Sequence, residues 1–145
     1  MAFDLSAITA GPRSQPPRIF LTGPHGIGKN TWAAGAPSPI FIQTEDGMGM
    51  LESPAFPLAT SAAEVFEALN TLYSEDHNFK TVVLDSADWL DALIIKDIRA
   101  THDEKALSYG KDTLLIAEQW RVILDWLNAL RSKGMTTILL GHVEV

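Results

Sequence analysis

Residues 23–31, Gly-Pro-His-Gly-Ile-Gly-Lys-Asn-Thr, follow directly on the apolar stretch Arg18-Ile19-Phe20-Leu21-Thr22 and lead into a short helical pattern. A glycine-rich turn between a buried strand and a helix restricts the chain to few architectures. Its backbone N–H groups point inward and converge with the positive end of the helix dipole on one anion-sized space. The run therefore predicts a phosphate-binding loop made of Gly23, Pro24, His25, Gly26, Ile27, Gly28, Lys29, Asn30 and Thr31. Lys29 is the mobile point charge for β- and γ-phosphates, and Thr31 is expected at the α-phosphate. An ordinary glycine turn is the bland alternative; two glycines and a lysine in register with both flanking elements argue against it. Position 30, where G-x-x-x-x-G-K-[ST] places a hydroxyl for Mg²⁺, holds Asn30 instead. An amide oxygen is a usable ligand, but it lacks the compact geometry suited to a small octahedron. Thr31 does not replace it, because adjacent residues at a helix start point about 100° apart.

Beyond the loop the chain alternates strand and helix signals. A helix over about 29–34 is followed by Gly35, Pro37 and Pro39, then by the buried strand Ile40-Phe41-Ile42 ending in Gln43-Thr44-Glu45-Asp46-Gly47. Ser61 and Glu64 fit the capping box, with Val65, Phe66, Leu69 and Leu72 at helical spacing over about 61–74. Thr81-Val82-Val83-Leu84 reads as a third strand ending in Asp85-Ser86. Trp89, Leu90, Leu93, Ile94 and Ile98 mark a helix from Asp88 to about Ala100, and a polar loop around Tyr109-Gly110-Lys111 follows. A long helix spans about 112–132, with Leu115, Ile116, Trp120, Ile123, Leu124, Leu127 and Leu130 as its apolar stripe and Gly134 as its stop. Thr136 to His142 is a fourth strand. This order predicts an α/β fold, a three-layer P-loop architecture with a mostly parallel sheet whose ligands sit beyond the carboxyl ends of the strands. Gly23, Glu45, Asp85 and His142 all fall at such ends. Residues 1–17, with Gly11, Pro12, Pro16 and Pro17, read as an extended arm before a core at 18–145.

Composition narrows the chemistry. A length of 145 residues with 46% hydrophobic and 20% charged suits one domain with an ordinary core. No apolar run approaches the roughly 20 residues needed to span a bilayer, and no export signal is visible, so the cytoplasm is the expected place and no membrane partner is expected. With no Cys and four scattered His, thiolate and zinc sites are excluded, and any metal would be held by oxygens. A net charge of −7 disfavours a surface coated for nucleic acid, though a local basic strip stays compatible with it.

Four side chains carry a choice of roles. Asp85 would hold a water of a Mg²⁺ shell or cap the helix beginning near Asp88, and Ser86 would support that shell or cap. Glu45 stands where a γ-phosphate would lie and could orient and deprotonate an attacking water, or be a solvated loop acid beside Asp46. His142 would sense the γ-phosphate or be a polar residue at a strand end. Trp89, Trp120 and Trp126 read as core rather than as base-stacking platforms. Arg121, Arg131 and Lys133 read as the solvated side of a helix.

Taken together, Gly23-Pro24 with Gly26, Gly28 and Lys29, then Phe41 to Gly47, then Val82 to Ser86, then Leu139 to His142, resemble the RecA-like branch of P-loop ATPases. In particular the order resembles that of the small phage-type AAA ATPases that include single-strand annealing proteins. The resemblance implies ATP and Mg²⁺ as ligands, Lys29 as the phosphate lysine, Glu45 as the catalytic glutamate, Asp85 with Asn30 at the metal, and His142 as the sensor. It also implies strand order 1-4-3-2, an edge position for the first strand, and a fold that continues past the fourth strand, so that a chain ending at Val145 would be incomplete and prone to self-association. Single-stranded DNA and further copies of the chain are the partners it suggests. The expected function is binding and slow hydrolysis of ATP in DNA recombination or repair. Two alternatives remain at this point: a nucleotide-binding module without turnover, favoured by Asn30, and a small-molecule kinase, for which no arginine-bearing lid is visible.

Overall fold

Four runs rich in β-branched and apolar residues form the strands β1 (Arg18–Gly23), β2 (Pro39–Gln43), β3 (Thr81–Asp85) and β4 (Thr136–His142). The computed structural model describes residues 3–12, 14–47, 49 and 51–144; Val145, the last residue of the expected core, lies outside them. All pairings are parallel and the order is β1-β4-β3-β2. Five helices connect and clothe the sheet: α1 (Lys29–Ala34), α2 (Ala62–Ser74), α3 (Ala87–Thr101), α4 (Glu104–Leu107) and α5 (Lys111–Ser132). This is the α/β architecture and strand order expected from the sequence. The described residues before β1 are exposed apart from Pro16 and include a 3-10 turn, Leu5–Ala7, capped by the Asp4 carboxylate. Among the described residues, no helix is long and apolar enough to cross a membrane.

Burial explains the order. All five residues of β3 are buried, as a strand covered on both faces requires. Because side chains alternate along a strand, Val82 and Leu84 face one core and Val83 the other. The larger core lies beneath α2, α3 and α5, each presenting residues one turn apart: Val65, Leu69 and Leu72; Leu90, Ile94 and Ile98; Ile123, Leu127 and Leu130. Each of these fully buried aliphatic side chains contributes about 1.5–3 kcal/mol. The smaller core, with Ala33, Phe41, Val83, Ile138 and Leu140, lies beneath α1. The Ser61 hydroxyl caps α2 by accepting the Glu64 N–H at 3.3 Å, and the Asp97 carboxylate accepts the Ala62 N–H at 3.0 Å.

The two sides of the sheet end differently. The outer side of β2 is covered by residues 54–59, through Phe41 N–H to Pro54 C=O, Phe56 N–H to Phe41 C=O and Ala59 N–H to Gln43 C=O, each 2.9 Å. Among the described residues, β1 has no strand on its outer side. Ile19 and Leu21 pack on the smaller core, while Phe20 points to the other face and is 64% exposed.

Several expectations are corrected. Trp89 is half exposed rather than core, because the buried line of α3 runs through Leu90 and Trp89 sits about 100° away from it. Trp120 and Trp126 do pack against the larger core, and Trp120 Nε1–H donates to Asp91 at 2.8 Å. Leu124, expected in the stripe of α5, is 48% exposed, since its direction carries it past Leu127 toward Phe20 at the β1 side. Arg131 and Lys133 are not merely solvated: Arg131 Nε donates to the Pro16 carbonyl, and Lys133 Nζ donates to the Tyr73 carbonyl while standing over the Tyr73 ring. Part of the expected polar loop is the short helix α4, started by the Asp103 carboxylate accepting the Ala106 N–H at 2.7 Å.

Candidate functional site

At the carboxyl ends of the strands lies a cleft of about 310 Å³ lined by His25, Gly26, Gly28, Lys29, Asn30, Glu45, Asp46, Gly47, Asp85 and His142. Its floor is the turn from β1 to α1. Gly26 and Gly28 have φ of +74° and +101°, values that L side chains rarely adopt, which is why glycine stands at both places. Gly28 is the N-cap of α1, so the first N–H groups of that helix and the turn before it surround the same space. Lys29 is 92% buried, and its ammonium donates to the Gly23 and Pro24 carbonyls at 2.8 Å each, bridging the start of the loop to its end.

The residue after it behaves differently from a metal-site hydroxyl. Asn30 Nδ2 donates to the Gly47 carbonyl at 2.8 Å, and its Oδ1 accepts the Thr31 N–H at 2.8 Å. The amide thus braces α1 against the loop after β2, with its oxygen already engaged. Thr31 and Ile27 are exposed and lie outside the cleft lining, whereas Gly23 and Pro24 take part through their carbonyls.

The opposite wall is built by the ends of β2, β3 and β4. Thr44 is buried and locks two of them together. Its hydroxyl accepts the Ser86 N–H and donates to the Ser86 carbonyl, each at 2.9 Å, and its own N–H donates to the Asp85 carbonyl at 2.8 Å. The Asp85–Ser86 peptide bond is cis. Ser86 occupies the N-cap position of α3 without a side-chain cap bond, and its hydroxyl is buried with no partner. Asp85 is therefore the last residue of β3 and not a helix cap. Asp88, read from the sequence as the start of a helix, accepts the His142 N–H at 2.7 Å and holds the end of β4 against α3.

His142 brings the two walls together. Its Nε2 lies 2.6 Å from Glu45 Oε1, and its ring stacks on His25 with centroids 3.8 Å apart and planes 18° apart. His142 Nδ1 is buried without a partner, so Nε2 is the ring nitrogen that bonds to the carboxylate. Lys29, Asn30, Glu45, Asp85 and His142 thus converge in one cleft, although they come from four separate stretches of chain.

Burial, and then the negative charge and hydrogen bond of Glu45, raise the Asp85 carboxyl from 3.8 to about 6, against the opposing pull of His142 and Lys29. An acid raised in the folded state binds its proton more tightly there than in the unfolded chain. Its ionisation consequently costs stability as pH rises from about 4 to about 6, and the cost is complete at neutral pH. Asp85→Asn is expected to be more stable than the parent at about pH 7, by on the order of 1–2 kcal/mol after allowance for water in the open cleft, and equal to it near pH 4. Urea unfolding at the two pH values checks this.

A pair of neighbouring carboxylates in which one is destabilised by the other is a donor set that a divalent cation relieves, so Asp85 fits a Mg²⁺ shell. The Asn30 oxygen already accepts the Thr31 N–H, which leaves it one lone pair for a cation. Among the described residues, no cluster of three or more His, Asp or Glu forms a cage for a metal. A cation here would rely on few protein ligands together with phosphate oxygens, as Mg²⁺ commonly does.

Sequence reasoning missed Thr44, Asp88 and Gly47 and gave His25 no role of its own. A Thr directly before a strand-end acid was the one local sign of the first; the others depend on contacts between distant segments. A family model described as an AAA domain matches residues 15–145, nearly the whole chain. Comparison with curated proteins gives no match.

Proposed function

Because this chain belongs to the AAA domain family of P-loop ATPases, we propose that its cleft binds ATP and hydrolyses it slowly, in a RecA-like module of phage-type DNA recombination, repair or single-strand annealing. The observation that carries the reading is one cleft holding both a lysine-bearing anion loop and Glu45 hydrogen-bonded to His142. Residues 18–145 act as the nucleotide-binding core and residues 1–17 as an arm. The recombination role, with single-stranded DNA and further copies of the chain as partners, is supported by the order of the four motifs along the chain.

The chemistry follows from where the groups stand. Backbone N–H groups of the loop and the Lys29 ammonium take the phosphate oxygens, since a charged donor prefers an anionic oxygen to the carbonyls of Gly23 and Pro24. Glu45 orients a water toward the γ-phosphorus and accepts its proton as the new P–O bond forms and the bond to the ADP oxygen breaks. Before ATP binds, His142 Nε2 holds the Glu45 carboxylate. Asp85 would hold Mg²⁺, which when bound would neutralise charge on the phosphates.

Titration with a fluorescent ATP analogue, with and without Mg²⁺, paired with phosphate release on the same sample, tests the reading. Binding with release is the expected result; absence of binding overturns it. The bonds of the Asn30 amide favour a second reading, a nucleotide-holding module with little turnover. Under that reading Asn30→Ser raises phosphate release on the order of tenfold or more, with ATP affinity close to that of the parent. Equal release by both proteins removes Asn30 as the brake.

A further inference from the structure

The Glu45 carboxylate is held by a chain of contacts that begins in the phosphate loop. Its Oε1 lies 2.6 Å from His142 Nε2. The other ring nitrogen of His142 has no partner, so the orientation of that ring rests on Glu45 at one edge and on the face of His25, 3.8 Å away. His25 is itself exposed, and its position follows from the backbone that carries it. That backbone is pinned one residue earlier, where Lys29 Nζ donates to the Pro24 carbonyl at 2.8 Å.

We propose that His25 is a positioning residue that ties the conformation of the phosphate loop to the freedom of Glu45, through the stacked ring of His142. The proposal rests on the ATP-binding reading above and adds to it a means by which the site distinguishes a loaded loop from an unloaded one. Phosphate oxygens draw the Lys29 ammonium away from the Gly23 and Pro24 carbonyls, because an anionic oxygen adds the attraction of a full opposite charge that a carbonyl dipole lacks. The Pro24–His25 segment loses its tether and turns, and the His25 ring slides off that of His142. His142 then loosens its hold on Glu45, whose carboxylate becomes available to a water. The ligand class to which the device responds is a nucleoside triphosphate, the one that places phosphate oxygens within reach of Lys29.

The test reads the ring signals of His142 by NMR, assigned with His142→Gln, in the full chain before and after saturation with a non-hydrolysable ATP analogue. His77 and His102, whose ring nitrogens bond to Leu72 and Ile98 carbonyls away from the cleft, serve as internal references. In the parent, loading shifts the His142 signals and leaves the references in place. In His25→Ala the His142 signals already stand displaced without the analogue, and the shift on loading is largely lost. His25→Phe, which keeps a flat ring at the same place, restores it. Loss of the stacked ring displaces the unloaded signals by itself, so the deciding readout is the shift on loading, which a merely structural role for His25 would leave as in the parent. Equal His142 shifts in the parent and in His25→Ala, or a parent that binds the analogue with no His142 shift, overturn the coupling and leave the ATP reading standing. A parent that does not bind the analogue overturns both.

Discussion

Glu45→Gln is expected to lower phosphate release at saturating ATP by about 10²–10⁴-fold, while ATP still binds. The amide has the shape of the carboxylate but cannot take up a proton, so the substitution removes the base and little else. Its place in the cleft makes the effect separable from folding. Glu45 is partly solvated, at 14% side-chain exposure, and its partner His142 can donate to an amide oxygen as it does to the carboxylate. The same change removes the second-largest cause of the raised Asp85 carboxyl, so the Asp85 pKa should fall toward its ordinary value. Single-turnover phosphate release and equilibrium binding of a fluorescent ATP analogue, measured together, give the two halves of the result. Release within about threefold of the parent would exclude Glu45 as the base and turn attention to a water held by other groups.

Lys29→Ala acts on the earlier step. Hydrogen bonds that involve a charged group are worth about 1.5–3 kcal/mol each, so loss of the ammonium is expected to weaken ATP binding by about 10–100-fold. Loss of Mg²⁺-dependent turnover should accompany it, since the γ-phosphate is no longer fixed in front of Glu45. The substitution also leaves the Gly23 and Pro24 carbonyls without the donor they now share. The first of these bonds is buried and the second part-buried, so thermal stability should fall together with affinity, by the cost of carbonyls left without a donor. Isothermal titration with ATP, and with AMP as a ligand that does not reach the lysine, separates the two contributions. A Lys29→Ala protein that loses affinity for ATP and AMP alike would point to a collapsed loop rather than to a missing charge.

The sheet was readable from the sequence because a strand buried on both faces leaves a continuous apolar record. Thr81 to Leu84 can hardly be anything else, and the strand ends in Asp85, level with Gln43 at the end of β2. The turn from β1 to α1 was readable for a similar reason: Gly26 and Gly28 need backbone angles that few other residues tolerate. Periodicity does not show which side of a helix meets an opening at the side of the sheet, so Leu124 and Trp89 were misplaced. It also gives no sign of pairings between distant segments. The Thr44 hydroxyl on Ser86, 42 residues away, and the Asn30 amide on Gly47 are decided by which loops the strand order brings side by side. Sequence placed Glu45, Asp85 and His142 at strand ends, whereas their distances, and the position of His25 against His142, come only from the folded chain.

The difference between the two flanks of the sheet sets a rule for association. Among the described residues, 54–59 close the β2 flank, while β1, with Phe20 and Leu124 beside it, has no strand on its outer side. A single open flank can be used once. Two copies that meet there by a two-fold axis bury each other's only free strand and stop, because neither retains a second one for a third copy. Were copies of the chain to pair through this strand, residues 54–59 would have to be peeled from β2 before a third could be added.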